Sequence, residues 1–244
     1  MAHLLCHAEP DTLSVETAVL DARPGRVLLE RSPFYPGGGG QPRDRGTLEW
    51  NGGVGRVTGF EPGIEGTWHL LEGDVELRGP VRATVDAPFR RLMRAVHTDT
   101  HILNAFVFRT FDGALVTGVQ IGEDGTARMD FDLPDADNDR LRALEGPIND
   151  AIAQDLAVRF AYVPMAEALG QRGLIRTQAV APPPTPDGRI RIVEIADLDR
   201  QACGGTHLAS TGGSPPIRIL KIDNKGRHNR RIKIGLVAPP PPSP

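Results

Sequence analysis

Short apolar runs separated by Gly, Pro and Asp characterise the first ninety residues of the chain. Such runs occur at residues 27–29, 47–50 and 81–85, and no helical periodicity appears before residue 88. Brief strands with turn residues between them are typical of a small barrel or sandwich. The pattern therefore predicts a small N-terminal β domain, a barrel or a sandwich, over residues 1–87.

The pattern changes at Pro88, after which apolar residues recur at the spacing of a helix. These residues are Phe89, Leu92, Met93, Val96, Ile102, Leu103 and Phe106. Proline suits the first turn of a helix, where its missing N–H has no intrahelical partner. The spacing predicts a helix over residues 88–109.

The rest of the chain alternates strand-like segments with one more helical pattern. An amphipathic helix is predicted over residues 136–157, with an interruption at Gly146-Pro147. Strands are predicted over residues 114–120, 126–132, 174–180, 189–195, 217–223 and 230–237. This mixture predicts an α+β domain over residues 88–237, and the Pro-rich residues 238–244 are expected to form a disordered tail.

Composition narrows the class of protein. The 244 residues contain 39% hydrophobic and 24% charged side chains, as ordinary globular domains do, and the net charge is −3. No apolar run approaches the roughly 20 residues that span a membrane, and the N-terminus lacks the pattern of a secretory signal. We therefore expect a cytoplasmic protein with no membrane partner, whose two cysteines are reduced.

Two short motifs contain the candidate metal ligands. The segment HTDTH at residues 97–101 has histidines at i and i+4, on one face of the predicted helix, and CGGTH follows at residues 203–207. Three nitrogens and one sulfur form a ligand set that zinc prefers, so we predict one shared zinc site. Four protein ligands close a tetrahedron, which leaves a structural and a catalytic zinc as open alternatives. The predicted ligands are His97, His101, Cys203 and His207.

The two motifs, with the segment TGVQIGEDGTARMDFDLP between them, resemble the editing domain of alanyl-tRNA synthetases. They are equally similar to the free-standing alanyl-tRNA editing proteins of the AlaX family, in their medium-sized form. The glycine-rich segment FYPGGGGQP at residues 34–42 resembles that family too. The resemblance spans residues 10–237 and implies a front barrel followed by a zinc-containing editing domain.

The resemblance also implies a chemistry and several site residues. The family hydrolyses the ester between tRNA(Ala) and a wrong amino acid, serine or glycine, and its zinc ligands match the four residues named above. Thr100 matches a threonine near the serine hydroxyl, and Gln120 matches a glutamine of the same pocket. Asp99 departs from the small residue usual in the family, and its position on the helix predicts that it points away from the metal.

Glycines 37–40 offer backbone amides that can approach a phosphate or a ribose closely. A glycine run is also compatible with a flexible turn, but contact is the preferred interpretation beside an RNA 3′ end. The predicted substrate-binding residues are Thr100, Gln120, Gly38, Gly39, Gly40 and Gln41.

Basic residues cluster in two places. Residues 217–234 contain seven basic side chains and one acidic side chain, and three arginines precede the histidine pair. Such clusters are compatible with solvated surface or with contacts to the phosphates of an RNA acceptor end. The predicted RNA contacts are Arg90, Arg94, Lys221, Lys225, Arg230 and Arg231.

The sequence thus predicts a zinc-dependent trans-editing hydrolase that deacylates Ser-tRNA(Ala), with Gly-tRNA(Ala) as a second substrate. No GxxxxGK[ST] phosphate loop occurs, so ATP is not an expected ligand, and a monomer is the favoured state. Zinc would either lower the pKa of a water molecule or orient the substrate, and no residue is assigned as a general base. The alternative is a non-catalytic tRNA-binding module whose zinc only stabilises the fold.

Overall fold

The computed structural model describes residues 3–134, 136–178 and 181–237. Its contacts divide the chain into two units. The first comprises the described residues up to Gly38 together with Pro42–Arg91, and the second comprises Gly39–Gln41 together with the described residues from Leu92 onward. The predicted disordered tail, residues 238–244, lies outside the described residues.

Strands dominate the first unit. Its elements are β1 (His3–Leu4), α1 (Leu5–Ala8), β2 (Ser14–Arg23), β3 (Arg26–Leu29), β4 (Arg31–Ser32), β5 (Gly46–Trp50), β6 (Gly53–Gly63), β7 (Gly66–Leu71) and β8 (Pro80–Val85). Six of the strands close into a barrel in the order β2-β3-β7-β6-β5-β8, with every neighbouring pair antiparallel. The predicted barrel is therefore confirmed.

Alternating side chains fill the interior of the barrel. In β8, Val81, Ala83 and Val85 are buried and the residues between them are exposed or half-buried, as expected of a strand with one face toward a core. The buried core of the barrel consists of Val27, Leu29, Phe34, Leu48, Val57, Leu71, Leu77, Val81, Ala83 and Val85. Two polar pairs, Ser32 with His69 and Asp44 with Arg90, are buried in the same unit.

Helix α2 (Ala87–Thr110) corresponds closely to the helix predicted over residues 88–109. The Asp86 carboxylate accepts a hydrogen bond from the backbone N–H of Phe89 at 3.1 Å, which satisfies one of the free N–H groups at the helix start. All side chains of residues 95–105 are buried. Buried polar groups require polar partners. The polar residues of this stretch therefore mark the part of α2 that contacts other polar groups in the interior.

The second unit contains two antiparallel sheets and several short helices. Its remaining elements are β9 (Val116–Ile121), β10 (Thr126–Asp132), α3 (Asn138–Arg142), α4 (Glu145–Ala153), β11 (Val158–Pro164), α5 (Met165–Gly170), β12 (Arg189–Ile195), β13 (Asp199–Ala202), β14 (Ile217–Lys225) and β15 (Asn229–Leu236). One sheet has the order β14-β15-β10-β9 and the other the order β11-β12-β13. Within the described residues, no helix is long and apolar enough to cross a bilayer.

Two predicted elements of this unit differ from the structure. The helix predicted over residues 136–157 is two helices, and the break lies at residues 143–144, before Pro147. Proline occupies the first turn of α4, where its missing N–H needs no partner, so it does not cause the break. Residues 174–178 form no strand: Thr177 makes one isolated bridge with Val116, and Leu174 packs into a core cluster. Residues 179–180 lie outside the described part.

Candidate metal centre

Helix α2 places His97 and His101 on one buried face. Residues four apart on a helix share a face, and the centroids of the two rings lie 5.3 Å apart. Both side chains are almost completely buried. The helix therefore supplies two imidazoles to one interior location, as the HTDTH motif predicts.

The CGGTH segment follows β13 and brings Cys203 and His207 to the same location. The centroid of the His207 ring lies 4.3 Å from that of His97 and 4.5 Å from that of His101. Gly205 permits this approach, because a Cβ atom at that position would lie 2.1 Å from Cε1 of His97. A glycine between the two ligands is therefore a steric requirement of the site.

The four side chains fit a tetrahedral metal ion. The Cys203 Sγ lies 3.5 Å from Nε2 of His97 and 3.4 Å from Nε2 of His207. The four ligand atoms all lie within 4.8 Å of one another. Zinc bonds of about 2.0 Å to nitrogen and 2.3 Å to sulfur place tetrahedral ligands about 3.5 Å apart, so the measured separations suit such an ion.

Electrostatics favour the metal-binding form of the thiol. Burial alone would raise the pKa of Cys203, but the three histidines outweigh it and hold that pKa well below its ordinary value. Burial likewise opposes charge on His101, yet the Cys203 thiolate and the Asp199 carboxylate raise its pKa to about 9. Burial and the two neighbouring histidines lower the pKa of His207. The histidines thus favour the thiolate of Cys203, which is the form of cysteine that binds metal.

Each histidine has a polar partner at its Nδ1 atom. Nδ1 of His97 lies 2.7 Å from Oε1 of Gln41, Nδ1 of His101 lies 3.3 Å from Oδ2 of Asp199, and Nδ1 of His207 lies 3.3 Å from Oγ1 of Thr98. Partners of this kind fix the tautomer and the orientation of a metal-binding imidazole. Nε2 of His97 and Nε2 of His207 face the Cys203 sulfur at 3.5 and 3.4 Å, which leaves these two atoms for a metal ion.

Asp199 is itself held by a buried polar network. Nη1 of Arg176 lies 2.7 Å from its carboxylate, and Nε2 of Gln201 donates to it at 2.6 Å. Asn104 of α2 donates to Gln201 at 2.8 Å. Sequence reasoning missed these residues; the available signal is that Asp199 and Gln201 alternate in a short strand directly before CGGTH, where apolar residues would be expected to face the core.

Of the two residues predicted to recognise serine, the structure buries Thr100 and exposes Gln120. Thr100 is buried, and its hydroxyl donates to the backbone carbonyl of His97 at 2.7 Å. Gln120 is exposed on β9, and its carbonyl oxygen accepts a hydrogen bond from Nε of Arg128 at 2.8 Å. Asp99 accepts a hydrogen bond from the Ser214 hydroxyl at 2.8 Å. The substrate roles of Thr100 and Gln120 stay predictions.

The glycine-rich segment has four successive residues with positive φ, Gly37 to Gly40, whose angles are +94°, +128°, +56° and +85° in that order. Gly38 and Gly39 are exposed, and a Cβ at Gly39 would meet no atom within 4 Å. A Cβ at Gly40 would lie 2.6 Å from the carbonyl oxygen of Val119, so a side chain cannot fit there. Gln41 is buried and contacts the metal centre.

The predicted RNA contacts divide into buried and exposed residues. Arg90 is buried in an ion pair with Asp44, and Arg230 is buried and donates to the carbonyl of Asn229. Because Arg90 is 1% exposed and its guanidinium is paired with Asp44, the prediction is wrong for Arg90. RNA contact by Arg230, which is 8% exposed, stays a prediction. Half-buried Arg231 donates to both carboxylate oxygens of Asp130, at 2.6 and 2.7 Å.

The other three basic residues are more accessible. Lys221 and Lys225 are exposed on β14, two positions either side of Asp223, and Lys221 lies 2.9 Å from that carboxylate. Arg94 is half-buried and donates from Nε to the carbonyl of His207, which ties α2 to the CGGTH segment. RNA contact by these residues, as by Arg231, stays a prediction.

Comparisons with known proteins agree on one family. Residues 190–233 match the family described as the threonyl and alanyl tRNA synthetase second additional domain. The alanyl-tRNA editing protein AlaX-M of Saccharolobus solfataricus is 34% identical over 210 residues, which cover 84% of this chain and 86% of that protein. AlaX-M of Methanosarcina barkeri is 35% identical over 224 residues, covering 86% and 88%.

A longer class of relatives contains a similar region. The alanine–tRNA ligase of Korarchaeum cryptofilum is 36% identical over 240 residues, which cover 96% of this chain but 25% of the ligase. The chain therefore spans about a quarter of the ligase and most of the length of the AlaX-M proteins.

Proposed function

The chain belongs to the alanyl-tRNA editing protein family, related to the editing domain of alanine–tRNA ligase, and from this premise we propose that it is a zinc-dependent deacylase of mischarged tRNA(Ala). Its proposed substrates are Ser-tRNA(Ala) and Gly-tRNA(Ala), and it acts in trans on tRNA charged by another protein. Residues 88–237 form the editing domain in this proposal.

The observation that carries the proposal is the buried set of three histidines and one cysteine. His97, His101, Cys203 and His207 offer the donor atoms and the separations that zinc takes. A bound zinc ion would supply a Lewis acid close to the aminoacyl ester. The ester is already activated, so the protein needs mainly to orient it and to stabilise the developing negative charge.

Thr100 is the residue proposed to recognise serine. Its hydroxyl proton is used in the hydrogen bond to the carbonyl of His97, so the oxygen acts toward substrate only as an acceptor. The hydroxyl of a seryl ester can donate to this oxygen, whereas the methyl group of an alanyl ester cannot. A hydrogen bond that forms with serine and not with alanine is worth about tenfold in selectivity.

Two surfaces are proposed to hold the tRNA. The exposed backbone at Gly38 and Gly39 offers amides without side chains to the terminal ribose or phosphate. Lys221 and Lys225 offer positive charge to phosphates farther along the acceptor end. Arg94 and Gln120 complete the proposed contacts, although Arg94 also holds the carbonyl of His207.

The experiment that tests this function compares deacylation of Ser-, Gly- and Ala-tRNA(Ala) by the wild type and by Cys203→Ala. The wild type is expected to hydrolyse the seryl and glycyl esters faster than the alanyl ester, and Cys203→Ala is expected to lose zinc and activity together. Cys6→Ala is the matched control, because it removes the other buried cysteine and leaves the cluster intact.

Two results would contradict the proposal. A wild-type protein that binds Ser-tRNA(Ala) without hydrolysing it would favour the non-catalytic tRNA-binding module. Full activity of Cys203→Ala, with no zinc bound, would remove the metal from the reaction.

A further inference from the structure

The Gln41 side chain is committed to the metal centre by three hydrogen bonds. Its Oε1 lies 2.7 Å from Nδ1 of His97 and accepts from the backbone N–H of Thr206 at 3.0 Å, and its Nε2 donates to the Thr206 hydroxyl at 2.8 Å. The side chain is 3% exposed. Its glycine-rich context suggested that Gln41 contacts substrate. The three hydrogen bonds instead engage its side-chain amide with protein groups.

The backbone of Thr206 determines which way the Gln41 amide points. A backbone N–H can only donate, so the amide atom facing it must be the oxygen. The same oxygen faces His97, and an oxygen of an amide can only accept. Nδ1 of His97 must therefore carry its proton, which leaves a lone pair on Nε2, the atom 3.5 Å from the Cys203 sulfur.

Glycines on both sides make this contact possible. A Cβ at Gly205 would lie 2.8 Å from Oε1 of Gln41, and a Cβ at Gly40 would lie 2.6 Å from the carbonyl oxygen of Val119. The carbonyl of Gly40 in turn accepts a hydrogen bond from the N–H of Ile121 at 2.8 Å, which fixes the residue before Gln41. Local packing thus holds Gln41 in place from the β9 side and from the CGGTH side.

We propose that Gln41 is a positioning residue of the metal centre, which holds His97 in the tautomer that binds metal through Nε2 and ties the CGGTH segment to the same amide. The proposal rests on the proposed function only in requiring that the four-residue cluster binds zinc. It gives Gly40 and Gln41 a role in metal affinity rather than in substrate contact.

The test measures zinc affinity by competition with a chelator in Gln41→Leu and Gln41→Glu, beside the wild type. Leucine removes the acceptor and is expected to weaken zinc binding by about 10–100-fold, the usual effect of removing such a partner. Glutamate keeps an acceptor oxygen and is expected to restore affinity to near the wild-type value. Gln154→Leu, an exposed glutamine at the end of α4, is the matched control.

A spectroscopic readout separates positioning from a merely structural role. Cobalt(II) in the site reports the ligand set through its visible absorption, and Gln41→Leu is expected to change these bands whereas Gln41→Glu preserves them. A proton–nitrogen correlation spectrum of the zinc-loaded wild type should show His97 protonated at Nδ1, and this measurement does not depend on whether Gln41→Leu folds.

Three outcomes would overturn the inference. One is a Gln41→Leu protein with wild-type zinc affinity and wild-type cobalt bands, even if its melting temperature without metal is lower. Another is a wild-type His97 that is protonated at Nε2 and not at Nδ1. The third is a wild type that binds no zinc. That result would overturn the proposed zinc site together with the role of Gln41, whereas the first two outcomes would overturn the role of Gln41 alone.

Discussion

The Thr100 hydroxyl has one observed role, the hydrogen bond to the helix carbonyl of His97, and one proposed role, the recognition of the seryl hydroxyl. Its proton goes to the carbonyl of His97, so Thr100→Val removes both a helix hydrogen bond and the proposed acceptor for serine. We expect Thr100→Val to narrow the preference for Ser-tRNA(Ala) over Ala-tRNA(Ala) by about tenfold, measured as the ratio of kcat/KM values. Thr100→Ser keeps the hydroxyl and is expected to keep the ratio.

Zinc content is measured in both Thr100 variants, because the residue is next to His101. An unchanged ratio in Thr100→Val with zinc still bound would mean that Thr100 serves the helix alone and that serine is recognised elsewhere.

The cluster of four candidate metal ligands could be predicted from sequence because each motif is local. Two histidines four apart share a helix face, and CGGTH supplies two more donors within five residues. Their partners are harder to find, since Gln41 and Asp199 come from distant segments and no spacing rule connects them to the histidines. Arg90 illustrates the opposite error: a surface pattern suggested RNA, whereas the fold buries the side chain against Asp44.

At the scale of an element, β7 contains a buried histidine that we expect to make the barrel sensitive to acid. His69 lies 2.7 Å from the Ser32 hydroxyl and packs against Phe34 and Phe60. Burial lowers the pKa of His69 from 6.5 to about 4. The folded barrel thus keeps His69 neutral at pH values where the unfolded chain protonates it, so this contribution is full above pH 6.5 and is lost as the pH falls toward 4.

We expect the double variant Ser32→Ala/His69→Phe to lose this part of the pH dependence. The pKa difference corresponds to about 3 kcal/mol of unfolding free energy between pH 6.5 and 4. Removing the Ser32 hydroxyl makes room for the larger ring and avoids a hydroxyl without its His69 partner, but it also removes the 3.3 Å hydrogen bond that Ser32 accepts from the N–H of Phe34. This loss lowers stability at every pH and leaves the pH dependence to report on His69. Denaturant unfolding is followed by tryptophan fluorescence, because both tryptophans, Trp50 and Trp68, lie in barrel strands.

His228→Gln is the control for this measurement, since His228 is an exposed histidine of the second unit. It should retain the wild-type pH dependence. A double variant whose unfolding free energy falls between pH 6.5 and 4 as steeply as that of the wild type would contradict the role given to His69.

Strand β14 has the two exposed lysines that remain as candidates for phosphate contact. We expect Lys221→Gln/Lys225→Gln to raise the KM for Ser-tRNA(Ala) and to reduce the salt dependence of binding by about one unit of slope for each phosphate that a lysine no longer neutralises. The control is Arg142→Gln/Arg172→Gln, which removes the same charge from other exposed positions of the second unit. Equal salt slopes in the two double variants would show that the β14 lysines face only solvent.

The predicted helices and strands agree with the structure where the spacing of hydrophobic residues is regular. Helix α2 and strands β10 and β12 have clear patterns, and the structure places them within a few residues of the prediction. Strand β13 was not predicted because its buried positions are the polar residues Asp199, which lies beside His101, and Gln201, which donates to Asp199. Residues 174–178 looked like a strand because Leu174 and Ile175 are apolar, but those side chains pack against another cluster without forming a ladder.

At the scale of the whole molecule, the family could be predicted from sequence more fully than the details of the fold. The motifs identified the family because they lie in a combination that few proteins share, and the comparisons confirm that family. Turn spacing predicted a barrel or a sandwich, and the family resemblance implied the barrel. Its strand order was not predicted, since pairing depends on contacts between distant segments. The glycine-rich segment was assigned to substrate as a whole, whereas the structure separates exposed Gly38 and Gly39 from buried Gln41.

The measurement that tests the central claim most directly is a zinc titration of metal-stripped protein, with the rate of Ser-tRNA(Ala) hydrolysis followed at each step. If the buried cluster makes this chain a zinc-dependent deacylase, the rate rises in proportion to bound zinc and stops rising at about one ion per chain, the capacity of a four-ligand site. A rate that is already maximal in the stripped protein, or that stays at zero with one zinc bound, would contradict the account.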